Sequence, residues 1–458
     1  MARVQCSYKP ENGRFILECD FSKQYHHYYR KRLEKIRPFL QSNSRKKWDP
    51  AIPICTLSEV ASCDSDTCIV IGTIFKRMKL QPSVIDELSK GNFDISSERY
   101  LGHYTSQDDT LTLEDHEESV QLVGKIDPKK FVTGVTVALL GSLTDDGGRF
   151  LVDDVCFAEP SHHGFLDSTS SLSSRHSDKE ASTEPVYLLV VSSLGFHHEM
   201  SKKSKLTRSL QDMIDFIWGG GKFSEDARSS RVARVLVVGD SLHADRFSSL
   251  DEESNETDKD EITRKIKQSR QVKPYSESVQ ATKHMDDFFA QLSKTIDVDV
   301  IPGQTDPSTH LLPQQPFHPC MFPKSSIFPT FNCTTNPHHA IYNDVEILAT
   351  AGQNIDIISK FSGISDPIEI MKCHLQWGNS APSAPDNLYS VPYEDEDPFI
   401  IESTPNIYIA GCQESFNVDF YEQNGAKTLL LTIPEFHKTL NCVLVDLESM
   451  KPQLLSFE

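Results

Sequence analysis

Two short turns hold the residues whose types could do chemistry. They are "GDSLHAD", residues 239–245, and "GQTDP", residues 303–307, and each follows an apolar run that reads as a buried strand. A carboxylate at one strand end, beside a second at a neighbouring strand end, is how a site for paired divalent cations begins. Two such ions, held about 3.5–4 Å apart, generate a hydroxide and clamp the oxygens of a phosphoester. The chemistry takes a bridging carboxylate and several Asn, His and Asp donors, each from a separate strand end.

Five strand ends can be inspected for those donors. After "LLVV" come Ser192, Ser193 and Leu194, so neither carboxylate nor imidazole is present. After "VLVV" come Gly239 and Asp240, with His243 three residues on. In the third turn Gln304 and Thr305 separate Gly303 from Asp306, and two later turns, "GQN" and "GCQ", centre on Gln353 and Cys412 without a histidine. Asp240 is the residue that could bridge two ions. Its companions are His243, where a second Asp would lie, Asp306, and otherwise hydroxyls, amides, a thiol and an aliphatic chain. Loss of one ligand can be repaired by rearrangement, but loss of most cannot leave two cations bound. We therefore expect no catalytic residue, no metal and no cofactor, with Asp240 acting as a turn or helix-cap acceptor.

The elements positioning these turns follow from periodicity. "VYLLVVSSLGF", "RVARVLVVGDS" and "IDVDVIPGQ" read as buried strands. Between them lie "LTRSLQDMIDFIWGG" and "SESVQATKHMDDFFAQLSKT", which have helical periodicity. The alternation predicts a layered α/β domain with its site at the strand C-termini. "VEILATAGQN", "NIYIAGCQESF", "TLLLTIPEF" and "CVLVDLESMKPQLLSF" supply strands for a second sheet. This domain is expected over residues 185–458, with an acidic surface insertion at about 248–270; "DEESNETDKDE" there has seven acids in eleven residues. Residues 161–184 are Ser-rich and read as a linker.

Residues 48–160 carry short β-branched runs broken by Gly and Asp, including "CIVIGTIFKRM", "ESVQLVGKI" and the hairpin signal "TDDGGRF". About five such strands suit a small barrel of the OB type. Few aromatics and little basic charge lie on them, which favours a structural barrel over a single-strand binder. In residues 1–47, Phe21, Tyr25, Tyr28, Tyr29, Leu33 and Ile36 share helical spacing, with Ser22 as cap and Pro38 as the expected end. Between Lys23 and Lys47 nine Lys or Arg face a single acid, Glu34; a solvated face, an acidic partner surface or nucleic acid would each suit them. The fold class is α+β multidomain: helix, barrel, then an α/β domain.

Composition narrows the function. A net charge of −20 would repel a polyanion, so any DNA role is local or indirect. Hydrophobic content of 38% with 25 Phe marks a folded chain with a real core. Eleven cysteines without CxxC spacing read as free thiols in a reducing compartment. No apolar run approaches the roughly 20 residues of a membrane span, and "MARVQCSYKPENGRF" shows no secretory core. The rigid segment "LPQQPFHPCMFP" offers Phe317, Met321 and Phe322 either as partner anchors or as interior packing.

The strand-end slots resemble those of calcineurin-like phosphoesterases, which read DxH, GDxxD, GNHD and GHxH. Longer stretches resemble the small (second, or B) subunits of eukaryotic DNA polymerase delta, of the polymerase delta/II small-subunit family. These are "FSKQYHHYYRKRLEKIRPFL", "IGTIFKRMKLQPSV", "FVTGVTVALLGSLTDDGGRFLVDDVCFA", "VDVIPGQTDPSTHLLPQQPFHPCMFP" and "TNPHHAIYNDVEILATAGQNI". The resemblance implies an OB-fold packed on an inactive calcineurin-like domain, a two-sheet sandwich with flanking helices. It implies a noncatalytic scaffold in nuclear replication and repair. Such a scaffold holds the cysteine-rich C-terminal domain of the catalytic subunit and a third subunit; it meets the sliding clamp and DNA only through the complex, and no membrane. Alternatives are the small subunit of polymerase alpha or epsilon, a residual metal-dependent phosphodiesterase, and direct single-strand binding.

Overall fold

The computed structural model describes residues 3–17, 24–63, 65–81, 102–144, 148–160, 185–200, 204–243, 273–423 and 426–458. The Ser-rich segment 161–184, the acidic insertion, the tip of the "TDDGGRF" turn, and Phe21 and Ser22 lie outside them.

The chain starts with strand β1 (Tyr8–Pro10), then helix α1 (His26–Lys47), strand β2 (Ile54–Cys55) and the one-turn helix α2 (Leu57–Val60). Five strands follow: β3 (Cys68–Arg77), β4 (Thr110–Glu114), β5 (Ser119–Gly124), β6 (Thr136–Leu143) and β7 (Arg149–Cys156). They are ordered β3-β4-β5-β7-β6, and β6 pairs back on β3, so the sheet closes. Closure removes the free edges that short strands would otherwise expose. The pair β5–β7 is parallel among antiparallel neighbours, the OB arrangement. Alternation builds its interior: Val70, Ile74, Leu111, Leu113, Leu122, Val137, Leu139, Phe150 and Val152 all face inward and are buried.

Helix α1 lies across the outside of the barrel with Leu33, Ile36 and Leu40 against Ile69, Ile71, Ala138 and Cys156. Pro38 does not end the helix, as its sequence suggests; it sits inside it. Proline removes one N–H donor from the helical ladder. Beyond it Leu40 and Ser44 are buried, and the Asn43 amide donates to the Ala158 carbonyl at 2.6 Å. That packing carries the helix two further turns. The basic block is likewise only partly a solvated face, because Arg32 is wholly buried.

The α/β part is two six-stranded sheets face to face. One contains β8 (Tyr187–Val191), β9 (Val232–Val238), β10 (Asp297–Ile301), β11 (Phe331–Cys333), β17 (Asn441–Asp446) and β18 (Pro452–Ser456) in the order β11-β10-β9-β8-β17-β18. The other joins β1 to β12 (His338–Tyr342), β13 (Val345–Thr350), β14 (Ile407–Gln413), β15 (Asn417–Gln423) and β16 (Ala426–Pro434) in the order β1-β12-β13-β14-β16-β15. The N-terminal strand thus belongs to a sheet built otherwise from the chain's second half. Between the sheets lie Leu188, Val190, Leu236, Val238, Ile301, Ile347, Ile407, Ile409, Leu429, Leu431 and Val443, all fully buried.

Helices α3 (Lys205–Trp218) and α4 (Lys273–Leu292) cover the outer face of the first sheet through Met213, Phe216, Met285 and Phe289. α3 is capped by the Ser204 side chain and stopped by Gly219, whose φ of 67° suits glycine. Helices α5 (Gln353–Phe361) and α6 (Pro367–Trp377) cover the second sheet, and α7 (Phe436–Thr439) is a single turn. Ile358, Phe361, Met371, Leu375 and Trp377 of α5 and α6 share one hydrophobic cluster with the barrel interior, so barrel and sandwich are fused through a common core.

Candidate functional site: the strand-end turns

The C-terminal ends of β8, β9, β10, β13 and β14 converge, as α/β topology requires. The N–H of Ser193 donates to the Gly239 carbonyl at 3.0 Å, and that of Gly239 to the Ile301 carbonyl at 3.0 Å. The approach is close because glycines line it. A Cβ on Gly303 would sit 2.2 Å from the Asp240 nitrogen. Ser193, Asp240 and Cys412 all have left-handed φ, at 53°, 46° and 53°. Three non-glycine residues in that region around one turn cluster mark a place held in strain by its surroundings.

Several side chains here are partnered from within the turns, whereas the buried Ser193 and Ser241 hydroxyls make no hydrogen bond among the described residues. Ser192 Oγ donates to the Val238 carbonyl at 2.6 Å and accepts from the Cys412 N–H at 2.7 Å. Asp240 Oδ1 accepts from the Thr305 N–H at 2.8 Å and lies 3.0 Å from Thr305 Oγ1, itself 3.0 Å from the Leu242 carbonyl. Asp306 is buried and accepts three backbone N–H groups, those of Gly303, Ser241 and Leu242, at 2.9, 3.1 and 2.9 Å. Gln353 forms an amide cluster with two residues that sequence reading passed over, Gln314 and Asn336: Gln314 Oε1 accepts from both Gln353 Nε2 and Asn336 Nδ2 at 2.8 Å. Gln304 is exposed and Leu194 is buried in the core.

Burial, then the nearby Asp240, pushes the Asp306 carboxyl up to about 7. Burial also raises Asp356 to about 6 and holds the Cys412 thiol well above its ordinary range. The His243 and His437 rings lie 5.1 Å apart; His437 Nδ1 is 3.1 Å from the Ser193 carbonyl, and burial lowers its affinity for a proton. Among the described residues no group of three or more His, Cys, Asp or Glu could hold a metal ion. A two-cation centre needs several anionic or imidazole donors with free lone pairs. Here Asp240 is held by Thr305, Asp306 by the backbone, and the other slots are neutral. This donor set does not fit a pair of divalent ions.

The other singled-out residues serve structure. Phe317 and Phe322 are not surface anchors: they are 2% and 0% exposed, with rings 5.6 Å apart in the cluster under α4, while Met321 is half-buried against it. Their aromatic bulk is worth more inside than the proline-rich setting suggests. His318 accepts from the Cys320 N–H at 3.2 Å. His338 is buried between Asn12 and Tyr342 at 2.9 Å each, while His339 on the other face pairs with Glu346 at 2.8 Å.

Comparison with known proteins bears on the whole chain. Residues 189–418 match the family model for the B subunit of DNA polymerases alpha and epsilon, and residues 24–155 match that described as DNA polymerase delta subunit OB-fold domain. The DNA polymerase delta small subunit of Oryza sativa is 32% identical, over 100% of this chain and 99% of its own. DNA polymerase delta subunit 2 of Drosophila melanogaster is 30% identical over 99% and 98%, and the small subunit of Saccharomyces cerevisiae 28% identical over 96% and 90%. The chain belongs to the DNA polymerase delta small-subunit family. As a member of that family it is an accessory subunit of a DNA polymerase, and its match extends from the N-terminal strand through both domains. A solved structure of an archaeal phosphodiesterase is 10% identical, covering 59% of this chain and 99% of its own with a TM-score of 0.28. No helix among the described residues is long and apolar enough to cross a membrane.

Proposed function

We propose that this polymerase delta small subunit is a noncatalytic scaffold that joins the cysteine-rich C-terminal domain of the catalytic subunit to a third subunit, in nuclear replication and repair. The observation that carries the proposal is the end-to-end match to delta small subunits across both domains. The physical logic is tethering. A body whose barrel and sandwich share one core offers faces at fixed separation, and two partners held on it meet at a high effective concentration. Contact with the sliding clamp and with DNA then comes through the assembly, consistent with a charge of −20. Co-expression with the polymerase delta catalytic subunit is expected to give a complex that survives gel filtration in physiological salt; separate elution would refute the scaffold role.

The same proposal makes the sandwich catalytically inactive. The strand-end turns support it, since Ser192, Asp240, Asp306 and Gln353 are each engaged by neighbouring turn residues. Purified protein dialysed against manganese is expected to retain well under two equivalents. Hydrolysis of a chromogenic phosphodiester should be equal in the wild type and Asp240→Asn. Two tightly held ions, with turnover lost in Asp240→Asn, would instead establish a working phosphodiesterase.

A further inference from the structure

Away from the strand ends, three thiols gather where the chain enters the barrel. Cys55 Sγ lies 3.7 Å from Cys63 Sγ. Strand β2 runs parallel to β3 with Cys55 opposite Val70. Cys68, two residues before Val70, therefore projects from the same face as Cys55. Its thiol interacts with that of Cys55 from the buried side. Cys68 is 2% exposed, whereas Cys55 and Cys63 are half-buried. The three form a short row running from the core to the surface, with Cys55 in the middle.

What separates Cys55 from Cys63 is one rigid turn. Helix α2 is closed by a reciprocal cap between Thr56 and Glu59, and the Leu57 N–H is held at 3.0 Å by Asp115 of the β4–β5 loop. Leu57 and Val60 are buried in the shared core, which fixes the turn on the barrel. Its exit is a simple turn, with the Cys63 N–H on the Val60 carbonyl at 3.3 Å. The two sulfurs are thus brought into contact by a well-anchored helix and not by chance apposition of loops. A disulfide needs them at about 2.05 Å, a closure that rotation about χ1 at the end of the turn can supply.

We propose that Cys55 and Cys63 are a reversible disulfide-forming pair that responds to the thiol–disulfide balance around the protein. The oxidant is a small-molecule disulfide such as oxidised glutathione. Burial pushes the Cys55 thiol up to about 11 and the Cys68 thiol up to about 12, which makes both weak initial nucleophiles, and Cys63 stands partly exposed at the exit of the turn, where the oxidant can reach it. The Cys63 thiolate attacks one glutathione sulfur, forming a mixed disulfide and releasing one glutathione thiolate. The Cys55 thiolate then attacks the Cys63 sulfur, and the second glutathione leaves. Two protein thiols lose two electrons in total, one glutathione disulfide gains them, and the two protons end on the two glutathione thiols. Cys68, behind Cys55, stays reduced. The bond would staple the exit of α2 to the end of β2, closing the surface turn between them.

Full-length protein, equilibrated in glutathione buffers of increasing oxidised fraction and then alkylated, tests this by peptide mapping without reductant. The expected product is monomeric, with the Cys55 and Cys63 peptides joined and two hydrogens lighter, and the cross-link disappears in a reducing buffer. Cys68→Ser should retain it; Cys63→Ser should abolish it and leave Cys55 alkylated. The proposal is overturned if both residues stay alkylatable across the series, if Cys63 stops at the glutathione adduct, or if the cross-link runs to Cys68. The wild-type map alone decides among these, whatever the variants' stability.

Discussion

Arg32→Ala is expected to destabilise the protein by about 3–5 kcal/mol, the range for stripping one partner from a buried ion pair. The side chain is wholly buried and pairs with Asp397, also shielded from solvent, at 2.7 Å through Nε. Its remaining donors reach three carbonyls: Nη1 those of Pro382 at 2.6 Å and Gly134 at 3.2 Å, and Nη2 that of Ala384 at 2.7 Å. One guanidinium thereby ties α1 to the barrel at Gly134 and to the sandwich at the segment around residue 383. Alanine would leave the Asp397 carboxylate buried with the Tyr28 hydroxyl, the Asn379 amide and the Phe399 N–H as its remaining donors. Arg32→Lys should recover little of the loss, because an ammonium has no planar fork to span these acceptors. Removing the charge on both sides, with Arg32→Met and Asp397→Leu, should cost less than the two single changes added. Urea unfolding followed by fluorescence and by circular dichroism measures this. A loss below about 1 kcal/mol for Arg32→Ala would put the pair in the class of weak surface bridges and refute the lock.

The sequence showed half of that lock and hid the rest. Arg32 stood in a run of nine basic residues, and Asp397 in the acidic stretch "YEDEDPF". Charge runs read as solvated surface because composition does not say which member turns inward. Helical spacing placed Tyr28, Leu33 and Ile36 on the buried side of α1, and all three are there. Pro38 misled for a related reason. Its local cost is the loss of one ladder hydrogen bond, and burial of Leu40 and Ser44 against the barrel outweighs it, a tertiary effect with no local signature. The barrel was legible because β-branched runs such as "CIVIGTIFKR" and "RFLVDDVC", broken by Gly and Asp, are decided by neighbours in sequence. Its closure through β3–β6 and the strand β1 lent to the far sheet are long-range pairings and left no trace.

The strand-end turns divide in the same way. The residue types at Ser192, Gln304, Thr305, Gln353 and Cys412 could be read directly from the sequence. Their partners could not. Gln314 and Asn336 meet Gln353 only because separate loops return to one point, and in the sequence Asp306 is only a matching position of the third slot. In the fold Asp306 is a fastener, because three N–H groups from two turns converge on it and join the end of β9 to the end of β10.

That position predicts a pH dependence with a definite sign. Burial, with Asp240 adding to it, raises the Asp306 carboxyl from 3.8 to about 7 in the folded protein. Between those values the native state keeps a proton that the unfolded chain has released. The contribution is therefore fully present below the unfolded value and is lost as pH rises through about 7. Other carboxylates, such as Asp226 with Arg228 beside it, are shifted down and act in the opposite direction, so the total curve does not isolate Asp306. A difference does. Asp306→Asn has no proton to release, and the stability of the wild type relative to it is expected to fall by about 2–3 kcal/mol between pH 5 and pH 8. Chemical denaturation of both proteins across that range, with each difference taken at a single pH, gives the measurement. A difference that grows with pH would mean that the three N–H donors keep Asp306 ionised. A falling one means that Asp306 is a neutral acid between the ends of β9 and β10, held in place by the N–H groups of Gly303, Ser241 and Leu242.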